Sequence, residues 1–392
     1  MGKMIVRINL KGIEKMRYKQ KENHKIKKLI TLLGIIILVT IATIILHNMY
    51  LEIEPYQSPL EEKMQAERLS TTVEEKKEES KKIVEVIEEV NESIVGISKI
   101  KSNGSSIFSE NGISELGIGT GVILSEDGYI LTNWHVAGEK YSNCYITIEN
   151  GKIYNGTVMW ADSDLDLAIV KIAAKGLTPI KIGDSDQVQV AEAVYAVGNP
   201  IGFEFQKTVT SGIISAVDRT IKIEEENKLS YMEDLIQTDA SINEGNSGGP
   251  LVNVNGEMIG ITTIKIASVE GIGFAVPINT IKPIIQKFLQ TGKFEEAFIG
   301  IYGFDREVIP YLNGNIEFDS GIYVDEVSVS GPSYKSGLQE GDIITQIDQV
   351  TLNKMSEFRN YIYQKQPGDN VTLKVLRNRR EIEINITLGK RG

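Results

Sequence analysis

The order of three chemistry-bearing positions limits the fold of this chain more tightly than its composition does. His135 is followed by Gly245-Asn246-Ser247-Gly248-Gly249-Pro250, whose serine lies 112 residues on. The other two histidines, His24 and His47, flank an apolar N-terminal stretch, so a single imidazole serves the rest of the chain. A serine hydroxyl is a poor nucleophile until a base takes its proton. The small residues around Ser247 allow a sharp turn that aims the Gly245 and Ser247 amides at one developing oxyanion. Gly-x-Ser-x-Gly also marks the nucleophile elbow of α/β-hydrolases, but there the histidine follows the serine, and none follows Ser247. The order Asp, His, Ser would need Asp127, which lies in Ser125-Glu126-Asp127-Gly128, a hairpin-turn sequence. A glycine-rich turn with a spectator serine is the bland alternative.

An aspartate between His135 and Ser247 completes the set. Asp162-Ser163-Asp164-Leu165-Asp166 precedes Leu167-Ala168-Ile169-Val170, an apolar run suited to a buried strand. A carboxylate at the lip of that strand can be buried and still fix the imidazole tautomer. Asp166 is nearest the strand and takes this role; Asp162 and Asp164 read as solvated turn residues. The resulting order, His-Asp-Ser, is that of chymotrypsin-like barrels.

Five blocks then resemble the HtrA (Deg-type) serine proteases: Thr132-Asn133-Trp134-His135-Val136, Asp166 to Val170, Gly198-Asn199-Pro200-Ile201-Gly202, Gln237 to Leu251, and Ile272-Gly273-Phe274-Ala275-Val276-Pro277. The likeness runs from about residue 85 to the C-terminus. It implies a mainly β protein: a chymotrypsin-like double β-barrel protease, with two six-stranded barrels and the active site in the cleft, followed by a PDZ domain. The implied activity is ATP-independent serine endopeptidase, with His135, Asp166 and Ser247 as triad and Gly245, Asn246 and Ser247 around the oxyanion hole. Asn246 carries no charge to pair with a freed N-terminal ammonium, which argues against activation by N-terminal clipping. The resemblance puts a sensor loop at Arg219 to Asp234, expected to couple the PDZ domain to Gly245 and Asn246. Ser241, at the base of the primary pocket, is uncharged, and Ile242 narrows it; cleavage after Val, Ala or Ile is expected. Residues Thr262 to Gly273 are expected to include the strand that pairs with substrate backbone.

The C-terminal part reads as one PDZ domain. Gly321-Ile322-Tyr323-Val324 and Gly331 to Ile344 match that family's bend and strand, and Ile382-Glu383-Ile384-Asn385-Ile386 alternates as a half-buried strand does. Such domains add a peptide as an extra strand and hold its C-terminal carboxylate on backbone amides. Phe298-Ile299-Gly300-Ile301 is the matching carboxylate-binding loop; the plain alternative makes it only a first strand.

Leu29 to Leu46 are uncharged and almost wholly apolar. As a helix they rise roughly 27 Å, close to the ~30 Å hydrocarbon core of a bilayer. Ten Lys and Arg residues precede them, against Glu14 and Glu22. Positive-inside reasoning places the N-terminus in the cytoplasm and the bulk of the chain outside. The following His47-Asn48-Met49-Tyr50-Leu51 lacks a small-x-small cleavage site, which favours an uncleaved anchor over a signal peptide. Tyr56-Gln57-Ser58-Pro59 breaks the helix, and a Glu/Lys-dense spacer follows. Ile83, Ile87 and Val90 then share a helical face before Ile94-Val95-Gly96-Ile97, read as the first barrel strand.

The expected organisation is a cytoplasmic basic segment (1–28), transmembrane helix (29–46), charged linker (47–82), protease domain (83–295) and PDZ domain (296–392). The overall formal charge is −11; removing the net +8 of the basic segment leaves −19, which argues against nucleic acid as a partner. Cys144 is alone and the spacing of potential ligands suits no metal, so neither disulfide, metal nor cofactor is expected. Expected partners are unfolded or membrane-associated protein substrates, C-terminal peptides at the PDZ domain, the membrane through the anchor, and, by the resemblance, a homotrimer. Quality control of exported proteins under stress is preferred over regulated cleavage of one signalling partner. The competing function is a non-proteolytic PDZ scaffold or chaperone-like binder.

Overall fold

The computed structural model describes residues 10–52, 81–100, 116–199, 207–225, 228–243, 245–265, 271–312 and 316–391. Pro200 to Gly202, Glu244, the middle of Thr262 to Gly273, the helix-breaking Tyr56 to Pro59 and most of the charged spacer lie outside them. The chain forms two units, 1–78 and 79–392. In the first, helix α1 (Leu10–Glu52) is longer than the apolar run alone. Within it His24–Tyr50 is long and apolar enough to cross a membrane. Its extension on the N-terminal side has a local cause: the flanking Lys, Arg, Glu and Gln are themselves good helix formers.

The second unit opens with helix α2 (81–92), which turns Val90 inward and half-buries Ile83 and Ile87. Six strands follow: β1 (Ile94–Ile100), β2 (Leu116–Ile123), β3 (Tyr129–Thr132), β4 (Asn143–Thr147), β5 (Ile153–Asp162) and β6 (Leu167–Ile172). They close in the order β1-β2-β3-β6-β5-β4. Ser125 to Gly128 is the turn between β2 and β3, with Gly128 donating to the Ser125 carbonyl at 3.1 Å. All four residues Leu167 to Val170 are buried, as a strand with both faces covered requires. Cys144 lies inside this barrel, and burial pushes its thiol up to about 11.

The second sheet has seven strands: β7 (Lys181–Ile182), β8 (Ala193–Gly198), β9 (Thr208–Glu225), β10 (Lys228–Thr238), β11 (Pro250–Asn253), β12 (Glu257–Lys265) and β13 (Gly273–Pro277). The order β11-β8-β9-β10-β13-β12 closes through β11–β12 pairing, and β7 adds on the outside of β12. Of the segment Arg219 to Asp234, expected to be a loop, residues 219–225 and 228–234 instead form paired arms of the strands β9 and β10. Alternating residues such as Ile221, Met232 and Leu235 find the barrel's apolar cluster, which rewards strand pairing over an open loop.

The amphipathic helix α4 (Ile278–Thr291) buries Ile281, Ile284, Ile285 and Phe288 on the barrels and ends on Gly292 in the left-handed region. Beyond it come β14 (Ala297–Phe298), β15 (Ile301–Phe304), β16 (Ile322–Val327), short α5 (Pro332–Lys335), β17 (Ile343–Ile347), β18 (Val350–Thr351), α6 (Met355–Gln364), β19 (Asn370–Arg377), β20 (Arg380–Thr387) and β21 (Gly389–Lys390). Their sheet runs β15-β16-β17-β19-β20, with β15 at one edge. A separate apolar core under this sheet includes Ile322, Leu338, Ile344, Phe358 and Leu373. Tyr363 of α6 leaves that core and joins the barrel cluster, meeting Phe294 edge-on at 6.0 Å. One aromatic side chain thus ties the C-terminal domain to the barrels.

Candidate active site

His135 sits on a single helical turn, α3 (Trp134–Ala137), directly after β3. Asn133 ends the strand fully buried, and its side-chain amide donates to the Asp166 carbonyl at 2.8 Å. That bond ties the histidine turn to the lip of β6. Asp166 adopts φ 53°, a left-handed conformation that Asp tolerates better than most residues. The bend turns its carboxylate back to the histidine. Oδ1 accepts from the His135 backbone amide at 3.0 Å, and Oδ2 lies 2.8 Å from His135 Nδ1. With Nδ1 donating to the carboxylate, the Nε2 lone pair is left to accept a proton. The Asp166 side chain is 12% exposed and that of His135 46%, so the carboxylate is sheltered while the ring reaches the cleft.

Thr263 joins this pair to the serine. Its hydroxyl donates to Asp166 Oδ2 at 2.5 Å, and its carbonyl accepts from Ser247 Oγ at 3.3 Å. One residue of β12 therefore touches both the orienting acid and the nucleophile candidate. The structure pairs His135 with Asp166 and links Ser247 to that pair through Thr263, and the serine hydroxyl points at a backbone carbonyl in this state.

The turn around Ser247 is held at each peptide plane. The Asn246 carbonyl accepts from the Gly249 amide at 2.9 Å and the Thr262 hydroxyl at 2.6 Å. The amide of Ser247 shares that peptide plane and so points the opposite way. Among the described residues neither the Gly245 nor the Ser247 amide has a backbone acceptor. Gly245 has φ 110° and Gly248 φ 82°. A Cβ on Gly248 would lie 2.3 Å from the Thr120 carbonyl, so this position excludes side chains on both steric and conformational grounds. Asn246 is buried; its Oδ1 accepts from the Asn243 amide and its Nδ2 donates to the Ser241 carbonyl, both at 2.9 Å.

Ser241 itself is exposed, and its carbonyl also accepts from the Thr210 hydroxyl. Ile242 is buried in the second barrel's apolar cluster, against Gly273. Asp164 is exposed, as a solvated turn residue would be. Asp162 is not. It is 6% exposed; Oδ1 caps the Asp164 and Leu165 amides at 2.9 and 3.0 Å, and Oδ2 accepts from the Tyr363 hydroxyl at 3.2 Å. Arg391 Nη1 stands 3.6 Å from the same oxygen. The expectation of a solvated Asp162 fails because the C-terminal domain covers it.

Ile299 and Gly300 form the bend between β14 and edge strand β15. Ser333 donates both its amide (3.0 Å) and its hydroxyl (2.7 Å) to the Ile299 carbonyl, and the Ser328 amide holds the Gly300 carbonyl at 3.0 Å. Gly300 has φ 83°. Phe298, Ile299, Gly300 and Ile301 line a cavity of about 150 Å³ with Phe358 and Ile362 of α6. Its other wall belongs to the barrels, through Tyr231 and Glu233 of the long hairpin. Glu233 is pushed up to about 8, by burial first and by neighbouring Asp305 second, with Arg359 opposing. Among the described residues no group of three or more His, Cys, Asp or Glu side chains could hold a metal.

Sequence reasoning missed Thr263, Thr120, Asn133 and the Asp162–Tyr363 contact. Asn133 was within reach, as a polar residue two before the histidine, directly after the strand Tyr129–Thr132. The others make contacts across 97 to 201 residues and leave no local trace.

A trypsin-like peptidase domain profile matches residues 119–261 and a PDZ domain profile residues 298–388. The serine protease Do-like HtrA of Bacillus subtilis is 36% identical, the alignment covering 81% of this chain and 74% of that one. The periplasmic pH-dependent serine endoprotease DegQ of Escherichia coli is 38% identical, over 69% of this chain and 59% of that one. Among solved structures, the HtrA-type protease AlgW with decapeptide superposes with a TM-score of 0.58 at 30% identity, covering 79% of this chain and 99% of that one. The serine endoprotease from Yersinia pestis gives 0.55 at 30% identity, over 79% and 98%.

Proposed function

Because the chain belongs to the HtrA family of serine proteases and is a serine endopeptidase, we propose that His135, Asp166 and Ser247 are its catalytic triad. The observation that carries this assignment is the doubly hydrogen-bonded Asp166 carboxylate on His135, bridged by Thr263 to Ser247.

Ser247 Oγ leaves the Thr263 carbonyl by rotation about χ1 and donates to His135 Nε2. As Oγ attacks the scissile carbonyl carbon, its proton passes to Nε2, and Asp166 stabilises the imidazolium through Nδ1–H. The oxyanion forms against the Gly245 and Ser247 amides, which Asn246 holds in place from within the turn. The imidazolium then protonates the leaving amine, and water repeats the sequence on the acyl-enzyme. Ser247→Ala, assayed on an unfolded casein-type substrate with the full chain in detergent, is expected to lose several orders of magnitude in rate. Cleavage undiminished in that variant would overturn the assignment.

In the fuller reading, α1 anchors the protein with its basic N-terminus in the cytoplasm, and both domains act outside on misfolded or membrane-associated proteins, with quality control as the main task and a homotrimer as the assembly. Ser241 and Ile242 favour small or medium aliphatic residues before the cut. The PDZ bend at Phe298 to Ile301 takes C-terminal carboxylates, its ligand adding to β15. The β9–β10 hairpin would report occupancy. Thr220 donates to Glu307 at 3.2 Å and Glu233 accepts from the Asp305 amide at 3.4 Å on the PDZ side. At its base the Thr210 hydroxyl and Asn246 Nδ2 share the Ser241 carbonyl. Shortening the hairpin tip should abolish stimulation by a C-terminal peptide while sparing fluorophosphonate labelling of Ser247; retained stimulation would refute the coupling.

A further inference from the structure

Thr120 lies on β2, in the first barrel, yet three of its four polar contacts lie outside that barrel. It is fully buried. Its hydroxyl donates to the Gly245 carbonyl and accepts from the Asn199 amide at 2.8 Å. Its own amide donates to the Ser247 carbonyl at 2.9 Å. Its carbonyl accepts from the Thr132 hydroxyl at 2.6 Å, one residue before the Asn133 that holds Asp166. Gly248 and Gly249 press against the same residue: the Cβ of an alanine at 248 would meet the Thr120 carbonyl, and at 249 the Thr120 methyl at 3.1 Å.

The nucleophile turn belongs to the second barrel and the histidine to the first. A peptide plane is rigid, so fixing a carbonyl fixes the amide that shares its plane and limits the rotation of the next one. Thr120 holds the carbonyls on both sides of Asn246, while Thr262 and Gly249 hold that of Asn246 itself. Without the Thr120 hydroxyl, the buried Gly245 carbonyl and the half-buried Asn199 amide would each lose a partner, a cost that favours rotation of the Gly245 peptides. An oxyanion hole works only while its donors are already aimed.

The geometry points to Thr120 as a positioning residue for the peptidase reaction, its hydroxyl clamping the nucleophile turn from the opposite barrel so that the Gly245 and Ser247 amides stay aimed at the oxyanion. This rests on the triad reading above. A hydroxyl is the requirement; a methyl in its place keeps the volume and loses the clamp.

The test compares Thr120→Val, Thr120→Ala and Thr120→Ser in the full chain, on a chromogenic peptide with Val before the scissile bond. Thermal midpoints and fluorophosphonate labelling rates are measured beside the kinetics. Val and Ala are expected to lower kcat by about 10- to 100-fold, short of the roughly 10²–10³ seen when an oxyanion donor is deleted outright. KM should stay within about threefold, since uniform binding is untouched. Labelling should slow in parallel, because the phosphonyl oxygen needs the same amides, and Ser should restore both. If Val does not fold, Ala and Ser decide. A kcat within twofold of the parent in a folded Val or Ala variant would overturn the proposal. So would an equal loss in the Ser variant, which would point to packing alone. Ser247→Ala serves as the separate control: activity surviving there would sink the triad reading itself, whereas an inert Ser247→Ala beside a fully active Thr120→Val would remove only the clamp.

Discussion

Replacing Asp162 by Ala should weaken catalysis although Asp162 touches none of the reacting groups. Its Oδ1 caps two amides of the turn that ends on Asp166, an arrangement comparable to a helix N-cap and worth about 0.5–2 kcal/mol. Its Oδ2 receives the Tyr363 hydroxyl, and a hydrogen bond to a buried charged acceptor contributes roughly 1.5–3 kcal/mol. Arg391 adds little: its side chain is 48% exposed and 3.6 Å away, in the range where ion pairs give about 0–1 kcal/mol. Removing Asp162 also relieves its repulsion of buried Glu296, whose carboxyl is raised mainly by desolvation. The net loss is on the order of 2–3 kcal/mol, or roughly 30- to 150-fold in the balance between held and released turn. We expect kcat to fall by about 10- to 100-fold with KM little changed, the signature of lost transition-state positioning. Amide hydrogen exchange at Asp164 and Leu165 should accelerate by a similar factor. Tyr363→Phe should give a smaller loss, and adding it to Asp162→Ala should cost almost nothing further, since the two share one bond. An Asp162→Ala enzyme with kcat within twofold of the parent and unchanged exchange at those amides would refute this reasoning.

Docking of the two domains should depend on pH through Glu233. Its carboxyl titrates near 8 when docked against an ordinary 4.5, so the docked form holds a proton that the separated form releases. Docking should therefore be strongest below pH 4.5 and weaken as pH rises to about 8, by at most about 1.4 kcal/mol per unit. Glu233→Gln should flatten that dependence; parallel pH profiles of interdomain cross-linking in parent and variant would contradict it. Within the PDZ domain, Arg377 donates Nε and Nη2 to Asp342 at 2.6 Å each, and Asp342 is 1% exposed. Arg377→Met leaves that carboxylate with the Gln339 amide but without its charge partner and should cost on the order of 3 kcal/mol, lowering the domain's unfolding midpoint in calorimetry; a midpoint unchanged within a degree would count against it.

The sequence by itself determined the parts that local chemistry writes. The turn at Ser247 needs small residues to bend, and the strand after Asp166 needs an unbroken apolar run to be buried. The order His135, Asp166, Ser247 then excludes folds that arrange the same groups differently. Periodicity likewise marked α2 and the alternating strands of the PDZ domain, whereas α4 came from the structure alone. Only the tertiary structure decided what holds those parts in place. Thr263, Thr120 and Tyr363 each make a contact that spans 97, 125 and 201 residues respectively. A lone hydroxyl in a strand leaves the same pattern whether it meets water or a catalytic carboxylate. Asp162 shows the consequence: its neighbours read as an exposed turn, and it is buried because a domain two hundred residues away packs over it. Sequence fixes a residue's chemistry and local geometry; its environment is a property of which surfaces meet, and that is settled only when both barrels and the PDZ domain have closed on one another.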